Sequence, residues 1–285
     1  MTLELRTATP ADATAAGRIC HDAFKTIAEQ HGFAPDFPSR EVATRLLQAL
    51  FSRRGVHALI AEVDGRIAGS NFLWEADPVA GIGPITVDPE LQNAAIGRRL
   101  MQRALECAEQ KGLKSVRLVQ AAYHARSLSL YTKLGFVARE PLAVLQGSAL
   151  ATRIDGHEVR RACESDLISA NALCRSVHGH TRAMELRHAI TEASATVVER
   201  EGRITGYATD IGFFGHAVGK TTQDLIALIA AAHAYSGPGF LVPIRNSALF
   251  RWCLERGLRV VQPMTLMSVG EYHEPQGAFM PSILY

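Results

Sequence analysis

Apolar residues in the first half of the chain follow two patterns, one typical of strands and one typical of helices. Short runs of β-forming residues predict strands, and apolar residues that recur every three or four positions predict helices. In chain order the patterns predict strand 3–7, helices 12–30 and 41–51, a hairpin of 56–63 and 67–74, strand 81–87, helix 97–111, strand 115–120, helix 126–134 and a strand from 136. The sequence therefore predicts an α/β fold in which helices flank a mixed sheet.

Part of this pattern recurs in the second half of the chain. Residues of the first strand and helix, Leu5-Arg6, Asp12 and Cys20, return at one constant offset as Val159-Arg160, Asp166 and Cys174. Residues of the hairpin, 62–69, return as 199–206. Because the two echoes keep the same order, we predict that one α/β unit occurs twice, as domains 1–148 and 149–285.

Composition agrees with two folded domains. A chain of 285 residues is about twice the common domain length, and 47% hydrophobic with 20% charged residues indicates a globular protein. The formal net charge of +2 argues against binding duplex nucleic acid chiefly through phosphates. We therefore expect no nucleic-acid partner.

Cysteine usage and hydropathy predict a cytoplasmic protein. Five cysteines form no C-x-x-C pair, which favours free thiols in a reducing compartment over a zinc site or disulfide framework. The N-terminal segment carries charged residues where a signal peptide needs an apolar stretch. The longest apolar run, 225–232, is far shorter than the roughly 20 residues of a membrane-spanning helix. We expect a soluble protein that needs neither metal nor membrane.

The segment between predicted strand 81–87 and helix 97–111 is a candidate anion site. Small residues, Ala94, Ala95 and Gly97, stand where the helix begins, and Arg98 and Arg99 add positive charge. The first N–H groups of a helix have no partner within it, so they attract anions such as pyrophosphate. An ordinary strand-to-helix connection is the alternative interpretation.

A second motif lies downstream and comprises His124, Ser127, Leu130-Tyr131 and Gly135-Phe136. Together with Gln92-x-x-Ala95-x-Gly97, it resembles the GNAT superfamily of acyl-CoA-dependent N-acyltransferases. The family patterns are Gln/Arg-x-x-Gly-x-Gly/Ala and Asn-x-x-Ala-x-x-Leu-Tyr-x-x-x-Gly-Phe. Ala95 stands in place of the first glycine, and His124 and Ser127 replace the Asn and Ala. The resemblance covers roughly residues 3–140.

The resemblance implies an acetyl-CoA-dependent N-acetyltransferase whose domains each hold a mostly antiparallel sheet with a splayed parallel pair. Backbone groups of the strand before the loop would pair with the pantetheine arm, and N–H groups of the loop would hold the pyrophosphate. The residues expected to bind CoA are Ile85, Thr86, Val87, Gln92, Asn93, Ala94, Ala95, Ile96, Gly97, Arg98 and His124.

The same resemblance assigns Tyr131 as the general acid that protonates the departing CoA thiolate. Core packing is the alternative for this residue, because it shares a helical face with Leu130 and Leu134. An amine acceptor must also lose a proton. Glu75 is the expected base, with Asp77 as a neighbouring candidate; both could instead be solvated carboxylates, and a third alternative gives the base role to His124.

The second half lacks the chemistry-bearing residues of the first. Gly219-Lys220-Thr221 imitates a phosphate loop, but the required glycine at 214 is Phe214. The Gln-x-x-Ala-x-Gly signature is absent, and Trp252-Cys253 stands where Leu130-Tyr131 would recur. We therefore predict a degenerate repeat with a structural role. The histidines at 178, 180 and 188 lack further ligands nearby and are interpreted as solvated or capping side chains.

The expected reaction moves an acetyl group from acetyl-CoA to an amine on a small molecule or a protein, without a metal. The alternative is a non-catalytic acyl-CoA-binding module of the same fold that acts as a sensor or docks a partner. The departures at 95, 124 and 127 favour this alternative, and the retained Tyr131 opposes it.

Overall fold

A computed structural model describes residues 2–92 and 94–285, which fall into two compact units. Most of the first unit is the chain up to Leu118 together with Tyr123–Phe136. The second consists mainly of Val119–Ala122 and Val137–Ile283. We call these the N-terminal and C-terminal units; the domain boundary predicted after residue 148 stays a prediction.

The N-terminal unit is a mixed sheet with helices. Its elements are β1 (Leu3–Thr7), α1 (Ala13–Gln30), α2 (Arg40–Phe51), β2 (Val56–Val63), β3 (Arg66–Trp74), β4 (Ala80–Ile82), β5 (Thr86–Val87), α3 (Ile96–Gln110), the first part of β6 (Ser115–Ala121) and α4 (Ala125–Lys133). The strands lie in the order β1-β2-β3-β4-β6, and β5 also pairs with β3. Only β4 and β6 are parallel within this series. This arrangement confirms the predicted α/β fold class with a mixed sheet.

The core of this unit forms because α1 and α2 each bury an apolar stripe against the sheet. One cluster of buried residues in this core comprises Ala16, Cys20, Ala43, Leu47, Leu50, Ala58, Ile60 and Phe72. The hydroxyl of Ser39 caps α2 by accepting the Val42 N–H at 3.4 Å. The two helices and strands β2 and β3 therefore share one packed core, and β3 pairs with the next two strands, β4 and β5.

The predicted continuous strand 81–87 is two short strands. Between them lie Gly83, Pro84 and Ile85, and proline has no N–H with which to continue a ladder. The parallel pairing of β4 with β6 ends at Gly81 and Arg117. Beyond it, β5 pairs with β3 alone among the described strands, so one edge of β5 has no strand partner there.

The C-terminal unit contains two sets of strands. Its elements are the last part of β6, β7 (Val137–Gln146), β8 (Glu158–Arg161), α5 (Leu167–His178), α6 (Ala183–Thr191), β9 (Thr196–Arg200), β10 (Arg203–Ala208), β11 (Ala217–Gly219), α7 (Thr222–Ala231), β12 (Phe240–Pro243), α8 (Ser247–Glu255), β13 (Arg259–Gly270) and β14 (Ala278–Met280). One antiparallel sheet has the order β14-β11-β10-β9-β8. In the other set, β7 lies between β12 and β13 and is antiparallel to both.

The same ion-pair network occurs once in each unit. In the N-terminal unit, the Arg6 guanidinium donates to both Asp12 oxygens at 2.8 Å and to Glu62 at 2.6 Å. These hydrogen bonds from Arg6 lower the pKa of Asp12 to about 2. The C-terminal counterparts, bonded in the same way, are Arg160, Asp166 and Glu199. All six residues belong to the sequence echoes, so the repeated α/β unit is confirmed.

One interpretation of the histidines is wrong. His178 is buried, and its Nε2 lies 3.3 Å from Nε2 of His216, a residue 38 positions further along the chain. Its ring also meets the edge of Phe279 with centroids 5.2 Å apart. Tertiary packing of the last turn of α5 therefore buries a side chain that was predicted to be solvated or capping, whereas His188 is exposed beside Glu192.

Candidate active site

Among the residues that the structure describes, no side chain caps the N-terminus of α3. Ala95 occupies the cap position, and its carbonyl accepts the Arg99 N–H at 3.1 Å as the first helical hydrogen bond. The N–H groups of the first turn, at Ile96, Gly97 and Arg98, therefore have no partner within the helix. Ile96 is buried and Arg98 is exposed. This end of α3 presents N–H donors and positive potential to an anion.

Ala95 adopts a left-handed backbone conformation, with φ of 59° and ψ of 10°. That conformation favours glycine, because a Cβ crowds the neighbouring backbone. A glycine, the residue at this place in the motif Gln/Arg-x-x-Gly, would adopt the same conformation without that crowding. Ala94 is half-buried, and Asn93, a predicted pyrophosphate contact, lies outside the described residues.

The loop lies close to β5 and to α4. A Cβ built on Gly97 would lie 3.6 Å from Val87 Cγ2 and 3.8 Å from Leu130 Cδ2, which is ordinary contact. Gln92 Oε1 accepts a hydrogen bond from Arg126 at 3.1 Å. The predicted loop residues are thus brought beside β5 and the first turn of α4.

Among the described strands, β5 hydrogen-bonds with β3 alone. Thr86 and Val87 pair with Ser70 and Gly69, and the Ser70 and Thr86 hydroxyls lie 3.2 Å apart. A Cβ on Gly69 would come within 2.4 Å of the Thr86 carbonyl oxygen, so this close approach needs glycine. Ile85 precedes β5 and is half-buried. The backbone edge away from β3 is positioned to accept an extended ligand in the manner of an added strand.

His124 stands at the start of α4 and contacts another departure from the motif. Its Nδ1 lies 2.8 Å from the Ser127 hydroxyl. Burial, aided by the charges of Arg126 and His31, lowers the pKa of His124 to about 4. The imidazole is therefore neutral at physiological pH. The two replaced motif positions form one hydrogen-bonded pair.

Tyr131 lies in the interior of α4 and is 6% exposed. Burial raises its pKa to about 12, and a side-chain hydrogen bond with Ser127 partly opposes that rise. The phenol therefore keeps its proton at physiological pH, as a general acid must. The ring also packs near Phe136, with centroids 6.1 Å apart, so the core-packing alternative describes its surroundings as well.

Glu75 is not brought together with Tyr131. Its carboxylate forms an ion pair with Lys111, which follows the C-terminal end of α3. A helix of 15 residues is about 22 Å long, so this ion pair and the uncapped N-terminus lie at opposite ends of α3. The base role of Glu75 stays a prediction, and the structure gives it no support.

The N-terminal unit combines an uncapped helix end, an open strand edge and a protonated tyrosine, and comparison with known proteins relates these to one family. Residues 21–136 match the model of the Acetyltransferase (GNAT) family. The chain contains a GNAT acetyltransferase domain. Mycothiol acetyltransferase of Tsukamurella paurometabola is 33% identical over 140 residues, which cover 46% of this chain and 47% of that relative. The chain thus matches about half of the length of this curated relative.

Two solved structures resemble the whole chain. A suspected acetyltransferase from Pyrococcus horikoshii has a TM-score of 0.74 at 18% identity, over 97% of this chain and 94% of its own. A tandem GNAT protein from the clavulanic acid biosynthesis pathway has a TM-score of 0.57 at 12% identity, over 94% and 98% respectively. At these identities the similarity shows the fold, which supports a tandem arrangement around the GNAT domain.

Two side chains that shape the GNAT domain have no predicted role. The motif marks Ser127 only as a departure, although its three-residue spacing from His124 indicates that the two side chains can meet. The pattern of apolar residues marks Trp74 only as the end of a strand, yet its Nε1 donates to the Gly83 carbonyl at 2.7 Å and fixes the segment between β4 and β5. No local sequence pattern predicts the contact between Trp74 and Gly83.

Among the described residues, no group of three or more His, Cys, Asp or Glu side chains could hold a metal ion. In the same part of the chain, every helix is too short or too polar to cross a membrane.

Proposed function

We propose that this chain transfers the acetyl group of acetyl-CoA directly to the amine of a small molecule. The observation that carries the proposal is the N-terminus of α3, which lacks a side-chain cap among the described residues and lies beside the open edge of β5. The next helix of the chain, α4, contains the buried Tyr131. These features supply a place for the pyrophosphate, a place for the pantetheine arm and a proton for the sulfur.

The residues of the N-terminal unit would act in sequence. First-turn N–H groups of α3 bind the pyrophosphate, helped by the exposed charge of Arg98. The free edge of β5 pairs with the amides of the pantetheine arm, which places the thioester further along the split strand. The amine attacks the thioester carbonyl, and Tyr131 donates its phenolic proton to the sulfur as the carbon–sulfur bond breaks. The nitrogen loses one proton as the amide forms, and the Tyr131 phenolate regains one from solvent, so the protons balance.

A small-molecule acceptor is supported by the relative named mycothiol acetyltransferase. A protein amine is the broader possibility that the sequence left open. The free cysteines fit a reducing compartment such as the cytoplasm.

The test is isothermal titration of the protein with acetyl-CoA and with CoA. Gly97→Glu places a carboxylate where the pyrophosphate would bind, so binding should be lost. Gly97→Ala is the matched control, because a Cβ at this position has ordinary contacts and should leave the affinity within about threefold. The proposal is overturned if the unmodified protein binds neither ligand.

An amine screen that follows thiol release then separates enzyme from binding module. Turnover with any small amine supports transfer. Tight binding of acetyl-CoA without turnover of any amine would support the acyl-CoA-binding module instead.

A further inference from the structure

We propose that strand β14 (Ala278–Met280) occupies, in the second repeat, the place that the pantetheine arm of CoA takes in the first. The chain thereby closes its second groove with a segment of its own and binds one CoA, in the GNAT domain. The proposal rests on the proposed function, because it takes the free edge of β5 as the place of the pantetheine arm.

Strand β11 of the second repeat is the counterpart of β5. Gly69 and Gly206 are equivalent positions of the hairpin that occurs in both repeats. Gly69 pairs with Val87 of β5. In the same way, Gly206 pairs with Gly219 of β11. A Cβ on Gly69 would lie 2.4 Å from a carbonyl oxygen of β5, and one on Gly206 would lie 3.0 Å from a carbonyl oxygen of β11. The two strands therefore lie at the same place beside equivalent hairpins.

The backbone of β11 faces the same way as that of β5. The residue after each strand, Asp88 or Lys220, donates its N–H to the hairpin at 2.8 Å. Backbone groups of successive residues in a strand point to opposite edges, so those of the preceding residue point away from the hairpin. We call the amides on this outer edge the outer amides, and they belong to Ile85 and Val87 in the first repeat and to Ala217 and Gly219 in the second.

β14 covers the outer edge of β11. The two strands are antiparallel, and Phe279 of β14 lies opposite Val218 at the centre of the ladder. Every residue of β14 is buried. By contrast, β5 pairs with β3 alone among the described strands. The edge that is open to an added strand in the first repeat is therefore already paired in the second.

β14 also fills the gap between β11 and β12. A parallel bridge joins Gly212 and Ser236, which precede these two strands, much as β4 and β6 pair in parallel before the split in the first repeat. After the bridge, β11 and β12 form no ladder with each other among the described strands, and β14 lies against both. The open edge of the first repeat lies at the corresponding split. β14 is therefore positioned where a ligand would enter the second repeat.

The segment that contains β14 is fixed on both sides of the strand. Before it, the Gln276 N–H donates to the Val177 carbonyl at 2.8 Å. After it, the Ile283 N–H donates to the Phe213 carbonyl at 2.8 Å. A segment that belongs to the chain has a high effective concentration at its own edge. A free ligand would have to displace this segment, so the second repeat is closed to CoA.

The first test compares the two edges of the full chain by amide hydrogen exchange, followed by NMR. Without CoA, the outer amides of the second repeat should exchange at least about 100-fold more slowly than those of the first. Saturating CoA should protect the outer amides of the first repeat only, and calorimetry should count one CoA per chain. Fast exchange at Ala217 and Gly219, or a second CoA, overturns the proposal. If CoA leaves Ile85 and Val87 unprotected, the proposed function fails, whatever the exchange in β11.

The second test removes the occupant. In a chain that ends at Pro275, the outer amides of the second repeat should exchange at least about 100-fold faster than in the full chain. A synthetic peptide of residues 276–285 should restore their protection and should not bind the full chain. Millimolar pantetheine should slow the same exchange, because it lacks the phosphates that the Asp224 carboxylate at the start of α7 would repel. A folded shortened chain that responds to neither probe, or to the peptide alone, overturns the proposal.

A variant of the full-length chain covers the case in which the shortened chain does not fold. A Cβ on Gly277 would lie 3.0 Å from the Gly219 carbonyl oxygen and 2.8 Å from Val177 Cγ2. Gly277→Val should therefore push β14 away from β11 and speed exchange at the outer amides of the second repeat at least about tenfold. Gln276→Val places the same side chain at the adjacent exposed position and is the matched control. Equal exchange rates in the two variants overturn the proposal.

Discussion

The N-termini of α3 and α7 follow equivalent strands of the two repeats, yet they differ in side-chain capping. At α3 the cap residue is Ala95, which contributes no side-chain hydrogen bond. At α7 the cap residue is Thr221, whose N–H and hydroxyl both donate to the Asp224 carboxylate, at 2.9 and 2.7 Å. The second helix is capped by its own residues, whereas Ala95 gives the first helix no such cap, as the proposed CoA site requires.

The carboxylate of Asp224 is part of a larger network. The residue is fully buried, and it accepts the Thr205 hydroxyl at 2.6 Å and lies 3.2 Å from Arg200 Nε. The C-terminal unit also has a cavity of about 440 Å³ that reaches Thr221 and Thr222. Arg245, which lines this cavity, donates a hydrogen bond to the Glu140 carboxylate. An anion at α7 would meet a buried carboxylate and a neutralised arginine, so a helix end alone does not make a phosphate site.

The most sensitive test of the difference between α3 and α7 is to place the same negative charge at the second residue of each helix. Gly97→Glu in α3 should weaken CoA binding at least about 1,000-fold, since it opposes the pyrophosphate at short range. Gln223→Glu in α7 changes an exposed residue and should leave affinity within about twofold. Calorimetry of both variants measures the contrast. Equal losses would contradict a single CoA site at α3.

We expect substitutions at the third residue of the two helices to differ in their effect on the free energy of unfolding. Asp224→Ala should lower the free energy of unfolding of the C-terminal unit by about 3 kcal/mol, because it leaves buried donors without their acceptor. Arg98→Ala, at the exposed equivalent in α3, should change stability by less than about 0.5 kcal/mol. Urea denaturation followed by tryptophan fluorescence and circular dichroism tests both, and similar losses would refute the contrast.

The two repeats also differ in the residue that α4 and α8 bury at matching places. Tyr131→Phe should lower kcat about 100-fold with little change in CoA affinity, since only the phenolic hydroxyl, the source of the acidic proton, is removed. Cys253→Ala should leave kcat within about twofold, even if it costs some stability through lost packing. Steady-state kinetics with the identified amine decides this point, and an undiminished kcat in Tyr131→Phe would remove the acid assignment.

The smallest effect is expected at the cap residue of α3. Ala95→Gly removes a Cβ from a left-handed conformation and should raise the free energy of unfolding by up to about 1 kcal/mol. The exposed Ala193 has a similar φ of 56°, so Ala193→Gly is a matched control for strain relief away from the site. Thermal denaturation with and without CoA measures both. A loss of stability in Ala95→Gly would mean that the loop shape does not strain the alanine.

Local pattern was sufficient for most of the fold, because the element types depend on periodicity and on turn residues. The hairpin of β2 and β3 and the helices α1 to α4 appear where the apolar spacing predicted them. The break in strand 81–87 also had a local signal, since Pro84 cannot donate to a ladder.

Contacts between distant segments were beyond sequence analysis. The ion pair of Glu75 with Lys111 and the contact of His178 with His216 join residues 36 and 38 positions apart. The sequence separation of neither pair indicates that the two residues are in contact. At the candidate site, the motifs located the loop and Tyr131, but the partnership of His124 with Ser127 needed the geometry of α4 as well as the spacing.

The placement of β7 between β12 and β13 affects synthesis of the chain. β7 ends at Gln146, and both partners follow only from Phe240 onward, about 90 residues later. At the usual 5–20 residues per second, a ribosome needs roughly 5–20 s to cover that gap. During that interval a strand with four buried apolar residues, Leu142 to Leu145, has no neighbour and needs protection from self-association. β7 must therefore wait for two later strands of the C-terminal unit, β12 and β13, before it can pair.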